Sequence, residues 1–368
     1  SNYLLLLEEE IDAERGVIKE EWRTRRTAQF RMYSASLQYL YPNSKFAERD
    51  VIGDIDVIEN FEYDALRDFY HKWYRTDLQA IAMAGDFDAE EMEKKVVELF
   101  SKIPAVENPP ERPFYEIPDH ADPVYGLVTD EEADQTIIRY MIRHRKSDDG
   151  PETFMGHRER YIHELFNSMM GQRIQELLQK GDPPFVIGVI NYGDFERGYE
   201  ALSAISIPKP NQEELSFTAL LTELERVKRY GFTQGELDRS KAEILSQWEK
   251  YYKERDKISN EEYIQEYIGN YLEGDAYPST EFAYQAVQVI LPTIGLADFT
   301  QHLSTWMTDQ NRVLVIQGPE GEGIEHLSEA ASMAILEAVA SAEIEPYEDE
   351  ALAESLVSTE PSPVAIVN

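Results

Sequence analysis

Two parts of the sequence repeat each other, and this limits the possible folds more than any single motif. Trp73 and Trp306 stand 233 residues apart, as do Gly85 and Gly318. Between them Ala80-Ile81-Ala82-Met83 aligns with Val313-Leu314-Val315-Ile316, an apolar strand pattern with a helical pattern after each copy. Upstream, Glu10-Ile11-Asp12 aligns with Glu236-Leu237-Asp238, Ile18 with Ile244 and Trp22 with Trp248, all 226 apart. The change from 226 to 233 needs one seven-residue loop insertion, which costs little entropy. Two alignments agreeing in order and type predict part of one copy of a domain and most of a second.

The first copy opens on the stretch Glu8 to Trp22. Leu7, Ile11, Ile18, Trp22 and Ala28 recur at helical spacing, and Glu8, Glu9 and Glu10 suit the positive end of a helix dipole. The helix is expected to run to about Tyr41, where Pro42-Asn43-Ser44 ends it. At about 100° per residue Glu14 and Glu21 lie within about 20° of each other, in the middle of the apolar face. Buried carboxylates require a partner. One reading pairs them with Arg15, Arg25 or another base. The other makes one a metal ligand and places the second behind it, because the two are about 10 Å apart along the axis.

Further along, a helix carries Ala65, Phe69, Tyr70 and Trp73, and Leu78 to Gly85 reads as a strand. A helix from Ala89 to Ser101 turns Met92, Val96, Val97 and Phe100 inwards, and the Pro-rich run Glu107 to Pro113 reads as a linker. Strands are expected at 124–128, 135–142, 185–192, 201–207 and 313–317. Helices are expected at 153–179 (interrupted near Gly171), 213–230, 235–256, 261–272, 281–289 and 324–339. The three expected units are 1–106, the C-terminal part of the first domain; 107–342, the second domain; and 343–368, an acidic, then Pro/Ser-rich linker to further domains.

Glu14-Arg15-Gly16-Val17-Ile18-Lys19-Glu20-Glu21-Trp22 resembles the downstream ligand helix of the pitrilysin/insulysin-type (M16) zinc metallopeptidases. The Trp73-Tyr74-Arg75-Thr76-Asp77-Leu78 turn and the repeat itself extend the resemblance over nearly the whole ordered chain. It implies an α/β (α+β) fold of repeated metallopeptidase-like domains, each an antiparallel-rich sheet packed against helices, with the first copy truncated. It also implies Glu21 as a zinc ligand and Glu14 as the supporting catalytic glutamate. The family's other motif, His-x-x-Glu-His roughly eighty residues upstream, is absent from this sequence. The chain therefore reads as a fragment of a zinc endopeptidase, inactive alone and holding no zinc by itself. Its implied partners are a peptide or small-protein substrate and the remaining domains of the parent chain.

The second copy is expected to be inactive, since Ser240 and Gln247 replace Glu14 and Glu21. His157 and His163 are six apart with Glu164 after the second, a spacing that suits exposed or core histidines better than a metal site. Tyr63, Tyr70, Tyr74, Tyr251, Tyr252, Tyr263, Tyr267 and Tyr271 read as packing residues or as the wall of a peptide-binding chamber. The net charge of −36 argues against nucleic acid and anionic membranes, and zero cysteines exclude disulfides and thiol chemistry. No run reaches transmembrane length. A periplasmic or extracellular location suits this composition, and a cytoplasmic one is compatible. Two rival readings share the fold: a non-catalytic subunit that binds peptides or holds an assembly, and a peptidase whose active site lies elsewhere in the parent chain.

Overall fold

The computed structural model describes residues 4–146, 150 and 153–349. The N-terminal part is helical: α1 (Glu8–Arg25), α2 (Ala28–Leu40), α3 (Lys45–Glu48), α4 (Ile55–Asn60), α5 (Tyr63–Trp73) and α6 (Ala89–Phe100). There follow β1 (Val124–Asp130), β2 (Ile137–Arg145), α7 (Phe154–Leu178), β3 (Ile187–Glu196) and β4 (Tyr199–Ile207). Then come α8 (Glu213–Tyr230), α9 (Gln234–Lys253), α10 (Asn260–Glu273), α11 (Thr280–Ile290), α12 (Leu296–Trp306), β5 (Arg312–Pro319) and α13 (Glu329–Ser341). The class is mixed α/β, as expected.

The five strands form one sheet in the order β1-β5-β2-β4-β3. Only β1 and β5 are parallel; the other pairs are antiparallel. Side chains alternate between the faces of a strand, and both faces of β5 are apolar. Leu314 and Ile316 join the large core beneath α7, α8 and α12, while Val313 and Val315 face the opposite way. That second face is covered by α2, whose Leu37 and Leu40, with Tyr41, pack on Met141, Ala201, Val313 and Val315. Burial of each leucine contributes about 1.5–3 kcal/mol. Polar contacts fix the seating: Gln317 donates to the Ser36 hydroxyl at 2.8 Å. Arg31 clasps Asp130 through two bonds of 2.7 and 2.6 Å and holds that carboxyl well below its usual range, at about 2.

The helix passes very close to β1. A Cβ at Gly126 would lie 2.4 Å from the Tyr39 ring. Gly126→Ala is therefore expected to cost about 1–3 kcal/mol by overpacking. Urea unfolding measures it, and removal of the ring by Tyr39→Ala should abolish the penalty; a variant as stable as the parent chain would contradict the close approach.

Several sequence expectations change here. The helix read from Glu8 to Tyr41 is two helices, because the Thr27 hydroxyl accepts from the Phe30 amide and starts a new one. The helix over 153–179 is unbroken at Gly171. The strand expected from Leu78 to Gly85 is a 3₁₀ turn (Thr76–Leu78) followed by irregular backbone. Its counterpart β5 lies between two hydrogen-bonded neighbours, whereas 79–85 pairs with no strand among the described residues; an apolar segment becomes a strand only with a ladder partner. The helix ending at Trp73 does match the one ending at Trp306. The inward face expected of α6 is uncovered, with Val97 57% exposed. Finally, residues 343–349 lie against the helices: Tyr347 donates to Glu176 at 2.7 Å, and Arg239 pairs with Asp349 at 2.8 Å. The rest of the segment read as a linker, 350–368, lies outside the described residues.

Candidate functional site

The α1 helix rests on α4 through Ile11 and Arg15. Ile11 is buried, and the Arg15 guanidinium donates to the Ile58 and Phe61 carbonyls at 2.5 Å each and lies 3.7 Å over the Phe61 ring. This corrects the expected orientation of the glutamates. Glu14 is exposed and has no partner among the described residues. Glu21 is half-buried and pairs with Arg25 at 2.7 Å, the two side chains being 39% and 59% exposed. Neither enters an apolar core, because the buried stripe runs along the Ile11–Arg15 side. Arg15 pairs with Asp12, not Glu14. Next to Glu21, the Arg26 guanidinium lies 4.4 Å over the Trp22 ring.

In the sequence alignment, Ser240 and Gln247 of α9 fall at the positions of Glu14 and Glu21, and α9 packs against α7. Ser168 donates to Ser240 at 2.9 Å, and Gln172 reaches the same hydroxyl at 3.4 Å. One turn away Arg173 and Glu236, both 1% exposed, form a bidentate pair at 2.6 and 2.9 Å. Glu236 also accepts from the Thr233 amide and so closes the capping box of α9. Sequence reading missed this pair, although Thr233-Gln234-Gly235-Glu236 is a legible capping signature. Between the helices, beneath residues 345–349, lies an open cleft of about 1190 Å³.

The histidines of α7 belong elsewhere. His163 lies between Glu159 (3.4 Å) and Glu200 (3.9 Å), with its ring edge-on to Tyr192 and Trp306. Burial lowers the His157 pKa and raises that of Glu164. No three His, Cys, Asp or Glu side chains among the described residues are grouped to hold a metal ion. Glu21, half-open on α1, is a carboxylate of a type that can donate to zinc, but the described residues group no full donor set around it.

A family model described as the peptidase M16 inactive domain matches residues 60–244. The chain belongs to the peptidase M16 family. Among curated relatives, this M16 chain is 26% identical over 372 residues to the zinc protease PQQL-like of Arabidopsis thaliana, covering 99% of the chain and 35% of the relative. It is 26% identical over 326 residues to the probable zinc protease PqqL of Haemophilus influenzae, covering 86% and 34%. It thus spans about a third of the length of those relatives. In fold it is similar to the first half of the periplasmic protease PqqL from Escherichia coli, with a TM-score of 0.84 and 22% identity, covering 94% of this chain and 73% of that one. It is also similar to the ferredoxin protease FusC in complex with Arabidopsis ferredoxin, with a TM-score of 0.78 and 21% identity, covering 97% and 40%. No helix among the described residues is long and apolar enough to cross a membrane.

Proposed function

We propose that this M16 chain is one part of a zinc-dependent endopeptidase, with Glu21 as a metal ligand and Glu14 as its supporting carboxylate. The observation that carries this reading is the contrast between the copies. Among the described residues Glu14 has no partner and Glu21 pairs only with an exposed arginine, while the equivalent positions of the second copy are neutral and Ser240 is packed. A structural pair would be buried and bidentate, as Arg173 and Glu236 are. Zinc, when bound, supplies Lewis-acid activation of water toward a peptide carbonyl; Glu21 would hold it, and Glu14 would keep a negative charge behind that ligand.

In this reading residues 1–106 complete a first, catalytic-type domain, 107–342 form the inactive partner, and 343–368 lead to further domains. The substrate is a peptide or small protein, and a periplasmic location is supported by the similarity to the periplasmic protease PqqL. The isolated chain should carry no stoichiometric zinc and cleave no peptide, because one carboxylate does not hold the ion alone. Metal analysis after dialysis decides it: an equivalent of zinc retained by the chain would place the site elsewhere. For the longer protein, zinc-dependent hydrolysis that survives loss of Glu21 would refute the assignment.

A further inference from the structure

A second, smaller cavity of about 300 Å³ lies between α7, α9, α10 and α11, apart from the α1 carboxylates. Its walls include several aromatic rings: Trp248 and Tyr251 from α9 meet edge-on at 5.8 Å, and Tyr277 and Phe282 are both more than half exposed. Two carboxylates, Glu164 and Glu266, also line it, and neither has an ion-pair partner among the described residues. Burial raises the pKa of both, Glu266 further through its neighbour Glu262, while the Arg160 charge partly offsets the rise at Glu164. Arg160, also in the wall, has its guanidinium toward Asp275 at 3.8 Å.

We propose that this pocket receives the side chain of a lysine or arginine from a bound polypeptide. Aromatic faces and carboxylates together form a cation receptor: the rings attract the charge through their quadrupoles and cover the aliphatic stem, and the carboxylates neutralise the head. The chain provides an internal precedent. Trp22, the repeat counterpart of Trp248, already holds the Arg26 guanidinium over its ring at 4.4 Å. In the second copy Tyr252 replaces that arginine, and among the described residues no cation lies over Trp248. The same ring position is therefore open to a cation from outside, within a chain whose net charge of −36 draws basic segments towards it. A cavity of this size lies at the small end of the range for ligand pockets and suits one side chain. That the ligand is a polypeptide rests on the peptidase reading; the cation chemistry does not.

The test is calorimetric titration of the 368-residue chain, without metal, with acetylated Gly-Gly-X-Gly-Gly amides in which X is lysine, arginine or norleucine. Saturable binding of the lysine and arginine peptides is expected, with norleucine weaker by about tenfold or more. Glu266→Gln, a surface change that leaves the core alone, and Trp248→Leu should each weaken lysine-peptide binding by about three- to tenfold; Trp22→Leu should not. Equal affinity for lysine and norleucine, no saturation up to about 10 mM, or lysine binding unchanged in Glu266→Gln and Trp248→Leu would each overturn the proposal. Because no catalysis is measured, these outcomes are separate from those of the zinc experiments.

Discussion

Glu236→Gln is expected to destabilise the chain by about 3–5 kcal/mol, the largest stability effect of any single change considered. The carboxylate and the Arg173 guanidinium are both fully buried, and Arg173 Nη1 has no hydrogen-bond partner among the described residues. Replacing the carboxylate with an amide leaves a buried cation without its counter-charge. The amide oxygen can still accept from the Thr233 amide, so the α9 cap survives. The damage should therefore spread along the Arg173 side, where the guanidinium lies 5.0 Å from the Phe232 ring and 4.2 Å from the Tyr347 ring. The joint replacement Arg173→Met with Glu236→Leu should be far milder than Glu236→Gln. Urea unfolding midpoints decide it; a loss under about 1 kcal/mol for Glu236→Gln would show that the pair is not sealed from water.

Glu21→Gln should behave in the opposite manner. In this chain its only ion-pair partner among the described residues is the exposed Arg25, and an exposed pair one helical turn apart contributes about 0.3–0.5 kcal/mol. Stability should stay within about 0.5 kcal/mol of the parent. In the longer protein the same change should lower zinc affinity and peptide hydrolysis by more than about 100-fold, beyond the 10–100-fold typical when a residue behind a ligand is lost. Glu14→Gln should fall inside that 10–100-fold range. A fragment destabilised by about 3 kcal/mol, with hydrolysis intact in the longer protein, would return both residues to a structural role.

Much of the fold was legible because its signals are local. Thr233 with Glu236, and Ser259 with Glu262, mark the starts of α9 and α10 by capping boxes that the structure contains. The apolar runs of β2 and β5 reflect burial on both faces. The misreadings share one cause: periodicity shows that a face can be covered, not that a cover exists. Met92, Val96, Val97 and Phe100 have helical spacing but face no core among the described residues. Leu78 to Gly85 has strand composition without a ladder. The apolar stripe of α1 put Glu14 and Glu21 at its centre, but α4 meets the helix along Ile11 and Arg15, a choice made by tertiary packing. For the candidate site, the residue types came from spacing and resemblance, while their exposure required the structure.

The seating of α2 on the sheet has a kinetic consequence. Ser36 and Gln317, joined by a buried hydrogen bond, are 281 residues apart, and β1 must find β5 across a shorter but still long interval, Val124 pairing with Val313, to form the one parallel pair. Both closures are late and entropically costly, so contact order, not helix formation, should set the folding rate. Until β5 is in place, Met141 and Ala201 on one face of the sheet and Leu37 and Leu40 on the helix lack part of their cover. During synthesis α2 can meet β1 early but gains its cover from β5 only after residue 317 has been made, and through that interval the half-finished sheet is exposed to aggregation.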